Sequence, residues 1–150
     1  ILFWFKFIYP NMGFIESGNT TIVMNKLKEN FIDKHVSFIY ENVCIEKLWN
    51  MNAEGSLKFT FDKIGRWWNN TSEIDIIGID STGNNILFGE CKYKKSKIGL
   101  DVLTALEKKS IEVEWNKDNR KSYYIIFSIS GFTEELIKEA QKRNDVILSE

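Results

Sequence analysis

Residues 71–93 read TSEIDIIGIDSTGNNILFGECKY. Two isoleucine-rich runs, 74–80 and 86–93, flank the turn-forming stretch Ser81-Thr82-Gly83-Asn84. Apolar runs of this length, broken by Gly, Asn and Ser, predict a β-hairpin. A turn centred between Thr82 and Gly83 places Ile79 opposite Ile86, Ile77 opposite Phe88, Asp75 opposite Glu90 and Glu73 opposite Lys92. Directly opposed residues of an antiparallel pair share one face. Three carboxylates and one ammonium are therefore expected at the open end of the hairpin, beyond an apolar floor of Ile77, Ile79, Ile86 and Phe88. The other face carries Ile74, Ile76, Leu87 and Cys91, so both faces are expected to be covered.

A covered carboxylate is costly unless it is paired or bound to a cation. Two neighbouring carboxylates repel and raise a pKa unless a cation lies between them. Oxygen-rich sites of this kind suit Mg²⁺ or Mn²⁺. A lysine beside such an ion stabilises charge on a phosphate or orients a water, which is the chemistry of phosphodiester hydrolysis. The plainer reading is an edge hairpin with a Glu73–Lys92 cross-strand pair and solvated Asp75 and Glu90. Spacing alone leans slightly to the plainer reading, and a single bulge would move Glu90 off the face.

Asp75 followed by Glu90-Cys91-Lys92 resembles the D…ExK signature of the PD-(D/E)XK nuclease superfamily. Gly65-Arg66-Trp67-Trp68, Glu73-Ile74-Asp75-Ile76 and Phe88-Gly89-Glu90-Cys91-Lys92-Tyr93 together resemble the nuclease-like domain of unknown function at the C-terminus of archaeal-type ATPases. The D…ExK pattern is weak by itself; the three motifs in order and at matching spacing are far more specific. The opening segment Phe3-Trp4-Phe5-Lys6-Phe7-Ile8-Tyr9-Pro10 is similar to the junction with the ATPase part in that family, so the resemblance spans essentially the whole chain. It implies a restriction-endonuclease-like α/β fold of three layers, with a mixed central sheet and helices on both faces. It implies Asp75 and Glu90 as metal ligands for Mg²⁺ or Mn²⁺, and Lys92 as the phosphate- or water-polarising group. Glu41, in Phe38-Ile39-Tyr40-Glu41, stands where superfamily members carry an assisting glutamate; a helix-surface role is an equal alternative. Glu73 is expected to support Lys92 or the metal shell. Lys109 stands where the family has a lysine that approaches phosphate, although any single lysine is more often a surface residue.

The expected organisation is an apolar junction over 1–18 and a nuclease-like domain over 19–150. At 150 residues, with 43% hydrophobic and 27% charged residues, the composition is that of an ordinary soluble globular chain. The net charge of −1 excludes a broad basic field, so DNA contact must rest on a local patch. Lys94, Lys95 and Lys97, close after Lys92, form such a patch beside the proposed site. Cys44 and Cys91 have no metal-binding spacing and are expected to be reduced core thiols of a cytoplasmic protein. The first residue is Ile, which suggests a fragment or a processed form. Residues 1–9 are too short to span a bilayer and lack signal-peptide features, so no membrane association is expected. Their apolar surface is a candidate for packing or oligomerisation. His35 is the only histidine and is given no catalytic role.

Elsewhere the sequence predicts a loop over 11–18, helices over 20–33 and from about 35 or 36 to 49, and a strand over 57–68 with a bend or bulge at Gly65. A helix over 100–115, a buried strand over 123–130, a short helix capped by Thr133 and a strand over 146–148 follow. Trp67 and Trp68 suit base stacking, but packing is the favoured reading for both. A helix between strands 86–93 and 123–130 predicts a crossover to a parallel strand, after an antiparallel meander of the first three strands. Two functions follow: a metal-dependent DNA endonuclease domain of an ATPase, or a catalytically silent DNA- or partner-binding domain of that ATPase. A module serving only oligomerisation is a weaker third. No G-x-x-x-x-G-K-[ST] occurs, so the chain has no P-loop of its own.

Overall fold

The computed structural model describes residues 3–31 and 36–150. The chain forms two units, Ile1–Ile39 and Tyr40–Glu150. The first begins with a π-helical turn, Trp4–Ile8, and a 3₁₀ turn, Tyr9–Asn11, followed by α1 (Met12–Glu16) and α2 (Thr20–Phe31). The loop expected over 11–18 is thus mostly helical. Pro10 lies in the first turn of the 3₁₀ segment, where its missing N–H deprives no partner. The chain turns only at Ser17-Gly18, with Gly18 at φ 78°. His35 and the end of the helix expected over 20–33 lie outside the described residues.

α3 (Ser37–Ala53) leads into the second unit, which then runs β1 (Lys63–Trp68), β2 (Glu73–Ile79), β3 (Asn85–Lys92), α4 (Leu100–Ile111), β4 (Lys121–Ser128), α5 (Glu134–Lys142) and β5 (Val146–Ser149). The five strands form one sheet in the order β1-β2-β3-β4-β5. β1, β2 and β3 make the antiparallel meander; β3–β4 and β4–β5 are parallel. The predicted hairpin register holds: Ile76, Ile77, Gly78 and Ile79 pair with Gly89, Phe88, Leu87 and Ile86. Asp80 secures the turn, its Oδ1 accepting the N–H groups of Thr82 (3.1 Å) and Gly83 (2.9 Å).

β3 and β4 lie inside the sheet, so both their faces are covered and their apolar runs are continuous. On one face Cys44 and Leu48 of α3 pack on Ile76, Leu87, Cys91, Ile125 and Phe127. On the other, Leu106 of α4 packs with Ile77, Ile86 and Phe88, while Leu103 and Leu136 pack with Ile126 and Val146. The result is the three-layer mixed α/β arrangement expected for a restriction-endonuclease-like domain. Thr133 caps α5 by accepting the Leu136 N–H.

Of the boundaries that differ from the sequence reading, those of β1 and α4 have a visible cause. β1 begins at Lys63 rather than 57, although Leu57, Phe59 and Phe61 do alternate inward with Lys58 and Thr60 outward. The Asn52 side chain takes both backbone groups of Phe61, at 3.0 Å each, in place of a neighbouring strand. α4 ends at Ile111 because the Arg120 guanidinium gathers the carbonyls of Ser110 (2.6 Å), Val113 (2.5 Å) and Trp115 (2.9 Å). Among the described residues no helix is long and apolar enough to cross a membrane.

Candidate active site at the open end of the β2–β3 hairpin

Asp75 owes its orientation to an irregularity in β2. Gly65 pairs with Ile77, but Trp67 pairs with Ile74. One residue of β1, Arg66, therefore opposes two of β2, Asp75 and Ile76. This is a β-bulge, and the extra residue lies in β2 rather than at Gly65 itself. An extra residue resets the in–out alternation. Ile74 accordingly joins Ile77 and Phe88 in the α4-side core, not Ile76, Leu87 and Cys91 as a regular strand requires. The regular β2–β3 ladder stops at Ile76–Gly89. Beyond it the Asp75 carboxylate takes the Cys91 N–H, at 2.8 Å. Asp75 and Glu90 thus lie at adjoining positions on two splayed strands, not as a simple facing pair.

Glu90 is 5% exposed and is held by two ammoniums. Lys92 Nζ donates to its Oε1 at 2.6 Å, and Lys109 Nζ lies 3.2 Å from Oε2 and 3.4 Å from Oε1. The cross-strand Glu73–Lys92 pair of the plainer reading is replaced by this intrastrand pair, and Glu73 is exposed. Glu41, on α3, forms an ion pair with Arg66, the residue opposite the bulge. Glu41, Arg66, Trp67, Trp68, Glu73, Ile74 and Asp75 line a cavity of about 220 Å³. The structure therefore places Glu41, Glu73 and Asp75 around one cavity and gathers Glu90, Lys92 and Lys109 by direct contact. Lys94, Lys95 and Lys97 are exposed on the segment after β3 and do not touch Glu90.

The charges are mutually dependent. Burial, and then the charge of Glu90, raises the Asp75 pKa, against the lowering effects of the Cys91 N–H, Lys92 and Lys109. Burial, and then Asp75, raises that of Glu41, against the attraction of Arg66. Burial works against the Lys92 ammonium, but its hydrogen bond to Glu90 and the Glu90 charge outweigh this and leave its pKa raised. Beneath Asp75, Cys44 and Cys91 are free and buried. The thiol of Cys91 is pushed up by its hydrogen bond with Cys44 and by burial.

The donor set is all oxygen. Mg²⁺ is commonly bound through one or two carboxylates, the remaining positions going to water and substrate phosphate. Asp75 and Glu90, whose repulsion already raises the Asp75 pKa, meet that minimum. Among the described residues no three acidic, histidine or cysteine side chains surround one point.

Sequence spacing misses one participant, Arg66: nothing in it points to the ion pair with Glu41, although Gly65 signals a bend nearby. The favoured packing role fits Trp67, which is half-buried against the α4-side core, but not Trp68, which is 72% exposed. Alternation along β1 sends the two rings to opposite sides.

Residues 4–125 match DUF234, described as archaea bacterial proteins of unknown function. The chain belongs to the DUF234 family. An uncharacterized protein from Methanocaldococcus jannaschii is 37% identical over 97 residues, covering 65% of this chain and 21% of that protein. The chain therefore spans about a fifth of that relative's length. Among solved structures, a protein of unknown function is 20% identical with a TM-score of 0.46, over 76% of this chain and 57% of its own. A repair endonuclease from Pyrococcus abyssi is 21% identical with a TM-score of 0.37, over 59% of this chain and 37% of its own.

Proposed function

We propose that this DUF234 chain is a divalent-metal-dependent DNA endonuclease domain, the C-terminal part of an archaeal-type ATPase acting in the cytoplasm. The observation that carries this reading is the gathering of Asp75, Glu90, Lys92 and Lys109 at the splayed end of the β2–β3 hairpin. Asp75 and Glu90 would hold Mg²⁺ or Mn²⁺. The ion, when bound, supplies a water of lowered pKa and a charge that stabilises the in-line displacement at phosphorus. The Cys91 N–H fixes the Asp75 carboxylate, so one of its oxygens keeps its direction. Lys92, held protonated by Glu90, presents positive charge to the scissile phosphate. Lys109 approaches the same phosphate from α4. Glu41, poised to take up a proton more readily than an ordinary glutamate, assists from α3. Lys94, Lys95 and Lys97 attract the flanking DNA backbone.

A second reading, a catalytically silent DNA- or partner-binding domain of the same ATPase, draws on a specific feature: Glu90 is already neutralised by two ammoniums. Isothermal titration of Mn²⁺ and Mg²⁺ separates the two readings. The decisive experiment is cleavage of single- and double-stranded DNA with Mg²⁺ or Mn²⁺ by the wild type and Asp75→Ala, with folding checked by circular dichroism. Cleavage by the wild type alone is expected. Unchanged cleavage by the folded variant would end the assignment.

A further inference from the structure

A second cavity, of about 430 Å³, lies along β1, the outer strand of the meander. It falls in the range of about 300–1,000 Å³ typical of small-ligand pockets. Its floor is Ile77, Ile79 and Val113, and two indoles, Trp67 and Trp115, line it. Its charged rim carries Lys63 of β1 and Glu114 after α4, while Arg66 lines it from the strand with its guanidinium paired to Glu41. Arg66 and Trp67 also line the cavity that holds Asp75 and Glu41. The two cavities therefore adjoin across one strand.

Building on the proposed action on DNA, we propose that this pocket receives an unpaired base, so that the substrate class is DNA with a single-stranded segment. A base in a duplex is enclosed by its neighbours and its partner, whereas an unpaired base enters a concave aromatic site and stacks there. The apolar floor and the indoles accept the base. The Lys63 side accepts its phosphate, while the Glu114 carboxylate repels phosphate and so sets the side on which the backbone runs. The two cavities adjoin at Arg66 and Trp67, so the backbone leaving the pocket passes beside the acidic and lysine cluster.

Gly65 gives a clean test. It lines the pocket, and a Cβ built on it meets nothing within 4 Å. Gly65→Leu thus fills the cavity without removing a native side chain. Binding is measured in EDTA, by tryptophan fluorescence quenching, with an oligothymidylate and with a blunt duplex of equal length. The wild type is expected to bind the single strand more tightly and to be quenched by it. Gly65→Leu is expected to lose about 5- to 150-fold in single-strand affinity, the worth of one stacked base, with duplex affinity unchanged. Trp115→Ala is expected to lose the same preference. Equal wild-type affinity for both DNAs, or an unaltered single-strand affinity in folded Gly65→Leu, overturns the proposal. Metal-dependent cleavage by the wild type and Asp75→Ala is scored separately. Pocket-dependent binding without cleavage sinks the nuclease reading alone; cleavage without pocket-dependent binding sinks the base pocket alone.

Discussion

Replacing Asp75 by Asn is expected to make the fold more stable and the site less able to bind metal. The amide is nearly the size of the carboxylate, and its oxygen still accepts the Cys91 N–H now bonded at 2.8 Å. What disappears is a half-buried charge. Its pKa is raised by burial first and by Glu90 second, and these outweigh the attraction of Lys92 and Lys109. An acid whose pKa is raised on folding weakens the native state at neutral pH. That deficit fades as the pH falls through the folded-state pKa, and vanishes below the ordinary aspartate range near about 4. Removing such a group is worth roughly 0.5–2 kcal/mol, or about 2–8 °C in melting temperature for a unit of this size. The assay is thermal unfolding of wild type and Asp75→Asn between pH 4 and 7, in EDTA and then in excess Mg²⁺. In EDTA the variant should melt higher at pH 7, with the gap closing towards pH 4. In Mg²⁺ at 100 times its dissociation constant the wild type gains about 2.7 kcal/mol, so the order should reverse. A variant that melts lower in EDTA at pH 7, or a gap independent of pH, would refute the reasoning.

Lys109→Met removes one of two cations competing for Glu90, an exchange worth on the order of 1 kcal/mol. Mn²⁺ affinity by titration calorimetry should rise about 3- to 10-fold, and weaker binding would contradict the competition. Gly89→Ala puts a Cβ 2.9 Å from Ile76 Cβ and 3.2 Å from Ile125 Cγ2. It should cost about 1–3 kcal/mol in denaturant unfolding, whereas Gly65→Ala, with open space, should stay within about 0.5 kcal/mol of wild type. Replacing Lys94, Lys95 and Lys97 with Ala should flatten the salt dependence of log K for DNA by roughly one unit for each phosphate no longer neutralised; an unchanged slope would remove these lysines from the DNA interface.

The hairpin register is legible in the sequence because Asp80 to Asn85 contains turn chemistry that pins it, and because a slip of one residue would expose Ile77 and Phe88. α5 is legible from Thr133 and the two glutamates after it. The bulge at Asp75–Ile76 is not, because no glycine marks it in β2 and its cause lies in the pairing with β1. Regular alternation consequently puts Ile74 on the wrong face. The early start expected for β1 reflects a true in–out alternation of Leu57, Phe59 and Phe61, but alternation reports burial and not strand pairing. Among the candidate residues, sequence spacing brings Glu90 and Lys92 close together. It does not reveal that Lys109 also turns its charge on Glu90, or that Arg66 holds Glu41.

Each strand of the sheet lies beside its sequence neighbours, from β1 at one edge to β5 at the other. No strand has to be inserted between two already paired, so the sheet grows outward as the chain leaves the ribosome, N-terminus first. The meander closes through short turns, whereas β4 can dock only after α4 has been made. In that order of assembly Asp75, Glu90 and Lys92 come together before Lys109 arrives. During that interval β3, among the most buried strands of the finished sheet, is an open edge. A chain cut just past Lys92 would leave the edge of β3 open beside its acidic cluster.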